Sequence, residues 1–225
     1  MEKTIKVTGK GTIHVVPDVT RLTVEIHNIF NTYEETYTNA KENAGWMVKI
    51  LEYNQIDGKL AKTRRLDISD NMVSEYDEDG NHIGYKKDGY KLSQELKIDL
   101  GMDNVLLNKI IKGVGKFIKN AQIDIGYTVK DPRPSQLKML ERAVKDAHEK
   151  ARIMTAAAGC ALGDVYSIDY SHEDIHIYSQ ARNIHSVEEA KACSPESLDI
   201  TPDDLAVSDE VNVVWYLIPE RGNIN

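Results

Sequence analysis

Apolar and polar residues alternate along several stretches of the chain, and a period of two residues is typical of β-strands. In residues 20–27, Leu22, Val24 and Ile26 share one face, whereas polar and charged side chains occupy the other. This alternation predicts a strand with one buried and one solvated face. Further strands of the same kind are predicted at residues 92–100, 122–129, 164–170 and 211–218.

Residues 62–100 are predicted to form a long β-hairpin. The turn lies in the sequence DEDGN, where Asp79-Gly80 is a strong hairpin signal because glycine readily takes up the positive φ angle that tight turns require. The return strand continues the alternation, with Leu96 and Ile98 on its apolar face.

Two helices are predicted from their start signals. Thr32 and Glu35 form a capping box, in which each side chain bonds the other residue's backbone N–H, and the helix continues to about Asn54. Asp103 is the expected N-cap of a second helix that covers about residues 104–119.

A third and longer helix is predicted from Pro134, a residue favoured at the first helical position, to Ala158, where Gly159 ends it. Apolar residues recur in it at alternating spacings of three and four, which predicts a narrow stripe that packs in the core, with a seam for a partner helix as the alternative. The predicted stripe comprises Leu137, Leu140, Val144, Ala147, Ala151, Met154 and Ala158.

Hairpins dominate over strict alternation of strand and helix. The pattern predicts an α+β fold: a largely antiparallel mixed sheet with hairpins, packed by about three helices, one of them a long helix in the C-terminal half. The 225 residues fit one domain over 1–225, with a possible sub-division near residue 101 and a variable acidic loop at 171–198.

Composition is that of a globular protein with a core, since 41% of residues are hydrophobic and 28% are charged. The two cysteines, Cys160 and Cys193, are too few for a disulfide scaffold, and Cys160 is expected to be a buried free thiol. No stretch approaches the roughly 18 apolar residues of a membrane span. We expect a cytoplasmic location for the chain as written, or a periplasmic or envelope location if a leader was removed.

The net charge of −8 is concentrated in one segment. Residues 171–210 contain ten acidic and two basic residues, so the rest of the chain has no net charge. Because a nucleic-acid surface needs a basic patch, the sequence argues against nucleic acid as a partner. The acidic segment is most simply a solvated loop, with an acidic docking surface as the alternative.

Residues 172–176, HEDIH, match the H-E-x-x-H signature of zinc proteases. On a helix, His172 and His176 would share one face and bind zinc, while Glu173 would activate a metal-bound water. The flanking residues favour extended chain, in which the two histidines lie about 13 Å apart and cannot share one ion. We treat a zinc-dependent hydrolase as an alternative, and as a further alternative a small-molecule-binding protein with a pocket over the sheet.

Residues 9–14, GKGTIH, have the glycines of a phosphate-binding loop but not its context, because a strand rather than a helix is predicted to follow. Gly9 and Gly11 are therefore expected to serve backbone geometry in a strand, either as a bulge or as a point where another backbone crosses closely. No serine or cysteine nucleophile is convincing. The sequence thus predicts no catalytic, cofactor-binding or metal-binding residue, and no cofactor.

Four segments together resemble the SIMPL-domain family in order along nearly the whole chain. The start, VTGKGTIHVVPDVTRLTVEI, is similar to the family's opening strand-turn-strand, and GYKLSQELKIDL to its central strand. RAVKDAHEKARIMTAAAGCALGDVYSI resembles its helix signature, and DITPDDLAVSDEVNVVWYL its closing strand. The chain departs from the pattern at Pro202-Asp203, where many members have Pro-Gly, and in showing no export signal.

The resemblance implies a bacterial, often periplasmic or envelope protein without established catalytic residues. Some members assemble into large rings, and the family is associated with oxidative stress. We therefore expect a non-catalytic protein that self-assembles and/or binds a partner, and the resemblance implies a role in stress responses. We expect a homo-oligomer in which the closing strand or the hairpin near Tyr85 to Tyr90 contributes to the contact between copies. The sequence does not identify a further protein partner.

Overall fold

The computed structural model describes residues 3–170, 177–184 and 202–219. These residues form eight strands, three α-helices and one 3-10 turn. The strands are β1 (Thr4–Val15), β2 (Val19–Phe30), β3 (Lys62–Tyr76), β4 (His82–Leu100), β5 (Ala121–Thr128), β6 (Cys160–Asp169), β7 (Tyr178–Ile184) and β8 (Leu205–Pro219). The helices are α1 (Tyr33–Tyr53), α2 (Asn104–Phe117) and α3 (Arg133–Ala157), and the 3-10 turn is Gly58–Leu60.

The chain divides into two compact units. The first comprises Met1–Pro17, Val129–Tyr178 and Asp203–Asn225, and the second comprises Asp18–Thr128 and Ser179–Pro202. Residue 101 lies inside the second unit, between β4 and α2. That the whole chain acts as one domain stays a prediction.

The second unit is a five-stranded sheet in the order β3-β4-β2-β5-β7, with α1 and α2 packed on one face. The alternation in β2 buries Leu22, Val24 and Ile26 against the two helices. Polar contacts fix α1 on this face as well, because Gln94 of β4 donates to the carbonyl of Ala40 at 2.9 Å.

The predicted start signals of both helices are confirmed. The Thr32 side chain accepts from the Glu35 N–H, and the Glu35 carboxylate accepts from the Thr32 N–H, each at 3.2 Å. Asp103 likewise accepts from the backbone N–H of Leu106 at 2.9 Å. Caps of this kind satisfy N–H groups that have no partner inside the helix.

The first unit is a three-stranded sheet in the order β1-β8-β6, covered on one face by α3. Gly9 and Gly11 of β1 lie directly under this helix. A Cβ atom at Gly9 would overlap the carbonyl oxygen of Ala143, and one at Gly11 would overlap that of Met139. The glycines therefore allow a helix backbone to approach the strand closely.

Side chains of α3 also bond the backbone of β1 along the edge that faces away from β8. The Asp146 carboxylate accepts from the backbone N–H of Lys10 at 2.7 Å, and Arg142 donates to the carbonyl of Thr12 at 2.6 Å. The pKa of the Asp146 carboxyl is held below its usual value, most strongly by the hydrogen bond from the Lys150 side chain and next by that from the Lys10 N–H. An edge occupied in this way is a poor template for another strand.

The apolar stripe predicted for α3 is only partly right: Ala147 and Ala151 are buried and Leu140 and Val144 are half-buried, but Leu137, Met154 and Ala158 are exposed. The buried residues follow an i, i+4 row and are Met139, Ala143, Ala147, Ala151 and Thr155. Leu137 and Met154, which belong to the predicted stripe, are 60% and 51% exposed. The small residues are selected because the helix lies so close to the glycines of β1.

The α+β fold class is confirmed, with three α-helices in the described residues and the long helix in the C-terminal half. The strands form two antiparallel sheets rather than one. None of the helices among the described residues combines the length and apolar character needed to cross a bilayer.

Candidate functional site

A groove of about 940 Å³ lies between α1 and α2 in the second unit. Its size is in the range of known ligand sites, about 300–1,000 Å³. It runs between two helices, and not over the open face of the sheet. Its lining residues are Trp46, Lys49, Ile50, Tyr53, Asn54, Gln55, Leu106, Lys109, Lys112, Gly113, Lys116 and Phe117.

Helical spacing brings these residues to facing sides of the groove. Trp46, Ile50 and Tyr53 follow one another at intervals of four and three residues on α1, so they share one face. Gly113 sets how closely α2 approaches, because a Cβ atom there would lie 2.8 Å from the Ile50 Cγ2 atom. The two helices therefore meet tightly at this point.

Two stacked aromatic rings line the groove, and an ammonium group lies over each of them. The rings of Trp46 and Phe117 are stacked, with centroids 4.7 Å apart and planes at 10°. The Lys49 Nζ atom lies 4.6 Å from the Trp46 ring centroid, and the Lys116 Nζ atom lies 5.1 Å from that of Phe117. These cation–π contacts hold both ammonium groups in place beside the groove.

The groove is positively charged although the chain carries −8. Lys49, Lys109, Lys112 and Lys116 line it, and no acidic residue is among the lining side chains described above. Three of these lysines belong to α2, whose sequence contains no acidic residue. A surface of this kind attracts anions, and the attraction weakens with salt because the lysines are solvated.

The lining is rich in lysine and poor in other ionisable groups. It contains no carboxylate, imidazole, thiol or hydroxyl group other than the phenol of Tyr53. General acid–base and nucleophilic mechanisms rely mainly on such groups held near one another. The arrangement is suited to binding an anionic group together with an apolar or aromatic one.

A second and smaller groove, of about 350 Å³, lies in the first unit. Arg142 and Lys138 contribute its positive charge, beside His14 and Ser135. The Arg142 guanidinium already donates to the carbonyl of Thr12. The α1–α2 groove has more cationic groups and an aromatic platform, so it is the stronger candidate.

Gly9 and Gly11, which the sequence singled out, do not line the α1–α2 groove. His172, Glu173 and His176 of the zinc signature lie outside the described residues. Within residues 3–170, 177–184 and 202–219, no group of three or more His, Cys, Asp or Glu side chains could hold a metal ion. Gly9 and Gly11 lie within β1, beneath the middle of α3, and do not precede a helix N-terminus.

The cysteine prediction is only partly right. Cys160 is free, but its side chain is half-buried and not fully buried. Its thiol lies 3.7 Å from the carbonyl oxygen of Ala158. Cys193 lies outside the described residues.

Sequence reasoning did not identify the groove. Summing charge over the chain outside residues 171–210 gives zero and hides the local excess of lysine on α2. The feature that could have indicated the groove is that lysine is the only charged residue type in residues 104–117, with Lys109, Lys112 and Lys116 at helical intervals. The pairing of Trp46 with Phe117 joins two separate helices and has no signature in the sequence.

Comparisons with known proteins support the resemblance seen in the sequence. The family model described as SIMPL, a protein of unknown function (DUF541), matches residues 5–215. A comparison with curated proteins found no match. Because the matched region spans nearly all of the 225 residues, the chain belongs to the SIMPL family.

Proposed function

We propose that this protein is a non-catalytic binding protein that self-assembles and/or holds a partner, and that the α1–α2 groove receives an acidic polypeptide. The observation that carries the proposal is the convergence of four lysines and three aromatic side chains on one concave surface. A role in stress responses is included on the strength of the family resemblance alone.

The ligand should combine negative charge with aromatic or apolar groups. Lys109 and Lys112 supply ammonium groups to the lining of the groove, while Ile50 and Leu106 supply apolar groups. Carboxylates bind ammonium groups through charge-assisted hydrogen bonds, and burial of an aromatic side chain adds hydrophobic stabilisation.

A polypeptide suits the groove better than a single-stranded nucleic acid. Proteins that bind single strands offer aromatic ring faces on which bases stack. Here Trp46 and Phe117 stack on each other, and the ammonium groups of Lys49 and Lys116 lie over the Trp46 and Phe117 rings. Each ring is thus already in contact with a second ring and with an ammonium group, which leaves less ring face for a base.

The experiment is a calorimetric titration with a random copolymer of glutamate and tyrosine at low salt, with polyglutamate as a second probe. We expect the copolymer to bind more tightly than polyglutamate, and its binding to weaken as salt is raised. The double variant Lys109→Glu, Lys112→Glu should bind at least about tenfold more weakly, which corresponds to about 1.4 kcal/mol.

A matched control reverses two lysines of the same unit that do not line the groove. The variant Lys41→Glu, Lys59→Glu changes net charge by the same amount and should retain most of the affinity. Equal losses in both variants would mean that binding follows overall charge, and the groove would not be the site. Tighter binding of oligothymidine than of the copolymer would favour a nucleic-acid ligand instead.

A further inference from the structure

The outer half of the β3–β4 hairpin extends beyond the sheet as a two-stranded arm, defined here as residues 71–88. β2 pairs with β4 only from Tyr90 to Leu100, so the arm has no third strand among the described residues. Isolated two-stranded ribbons are marginal in water. Its exposed apolar side chains include Met72 (51%), Val73 (39%), Tyr76 (60%), Ile83 (60%) and Tyr85 (67%).

The tip of the arm combines aromatic rings with negative charge. The His82 ring contacts that of Tyr76 at 5.6 Å and that of Tyr85 at 5.0 Å, so three rings form one continuous cluster. The neighbouring acidic residues are Glu75, Asp77, Glu78 and Asp79, and all four are exposed.

A well-ordered turn presents these charges. The Asp77 carboxylate accepts from the backbone N–H groups of Asp79 and Asn81, at 3.0 and 2.8 Å, and from the Asn81 side chain at 3.1 Å. Gly80 completes the turn with φ of 82°. The Glu78 and Asp79 carboxylates project from a fixed loop, which reduces the entropy lost on docking.

We propose that the arm tip of one copy docks in the α1–α2 groove of a second copy. This rests on the proposed function and names its ligand: four tip carboxylates face four groove lysines, and an exposed ring cluster faces an aromatic and apolar floor. Tip against tip would set four negative charges against four others, and groove against groove would do the same with positive charges. Complementarity therefore favours tip into groove.

The contact joins two different surfaces, so each copy donates one tip and offers one groove. Such a heterologous contact continues from copy to copy and yields a closed ring if the rotation closes, or a filament if it does not. In the single chain both surfaces are exposed, with Tyr53 of the groove at 89% and Tyr85 of the arm at 67%.

The experiment uses charge reversal of each surface and measures mass by light scattering at tens of micromolar protein. The groove variant is Lys109→Glu, Lys112→Glu, and the tip variant is Glu78→Lys, Asp79→Lys. The unchanged protein should be larger than a monomer, and each variant alone should be monomeric. An equimolar mixture should form dimers only, because one competent groove and one competent tip remain. The chain carrying all four changes should assemble again.

A matched control reverses two charges of the acidic segment, Glu188→Lys, Glu189→Lys, and should leave the mass unchanged. A monomeric unchanged protein, or tip and groove variants that both assemble normally, would overturn the docking. Loss of assembly in the control variant to the same extent would also overturn it. If the tip variant still binds the glutamate–tyrosine copolymer while the unchanged protein is monomeric, the groove function stands and only the choice of a second copy fails.

Discussion

Gly11 of β1 lies so close to α3 that a methyl group there would overlap the Met139 carbonyl oxygen. We expect Gly11→Ala to lower the free energy of unfolding by roughly 1–3 kcal/mol or more, because the helix must move away from the sheet. Gly45→Ala is the matched control, since a Cβ atom at Gly45 meets nothing within 4 Å. It should raise stability by roughly 0.5–1 kcal/mol, as alanine is favoured over glycine inside a helix. Thermal and urea unfolding would measure the stability of both variants. Equal changes in the free energy of unfolding for Gly11→Ala and Gly45→Ala would contradict the close contact between β1 and α3.

Asp77 makes the arm turn sensitive to acid. Hydrogen bonds from the Asn81 backbone and side chain hold its pKa below its usual value. A carboxyl whose pKa is lowered by folding contributes stability above its unfolded pKa, near 3.8, and this is lost as pH falls through the lower folded value. We expect the protection of the Asp79 and Asn81 amides from hydrogen exchange to fall as pH drops below about 3.8. In Asp77→Asn, NMR-detected exchange should lack that pH dependence, and an unchanged profile would contradict the assignment.

At the scale of elements, the buried face of α3 can be tested by a pair of substitutions. Met139 is fully buried, whereas Leu137 is 60% exposed. Met139→Ala should destabilise the protein by about 2–5 kcal/mol, while Leu137→Ala should stay within about 0.5 kcal/mol. Chemical unfolding of both variants is the measurement. A larger loss of stability in Leu137→Ala than in Met139→Ala would instead support the stripe that apolar spacing predicts.

Local signals predicted most of the elements correctly, because their causes lie within a few residues. The capping box of Thr32 and Glu35, the Asp103 cap and the turn at Gly80 each satisfy backbone requirements within one short segment. The face of α3 was mispredicted because hydrophobicity ranks Leu137 above Ala143, whereas the strand glycines require small residues.

The groove could not be derived from local pattern for a different reason. Trp46 and Phe117 lie 71 positions apart along the printed sequence and meet only after both helices pack on the same sheet. Charge counted over the chain averages the lysines of α2 with acids elsewhere. Sites formed by facing helices depend on tertiary pairing, which spacing within one helix does not encode.

For the whole molecule, the two units differ in the size of their cores. Among the described residues, the main buried cluster of the second unit has 19 members, and that of the first has seven, three of them alanine. Because apolar burial is the main source of stability, we expect slower amide exchange in β2 and β4 than in β1 and β8. Hydrogen exchange followed by mass spectrometry would measure this. Equal protection in the two sheets would contradict this expectation.

The pairing of β1 with β8 has a consequence during synthesis on the ribosome. β1 ends at Val15, and its partner begins at Leu205 in direct register with it. At about 5–20 residues per second, β1 waits roughly 10–40 s for that partner to be made. Throughout this interval a strand-forming segment is available to neighbouring nascent chains. Lys6 and Lys10 on its polar face are the kind of charged residue that keeps such a segment from associating before its own partner emerges.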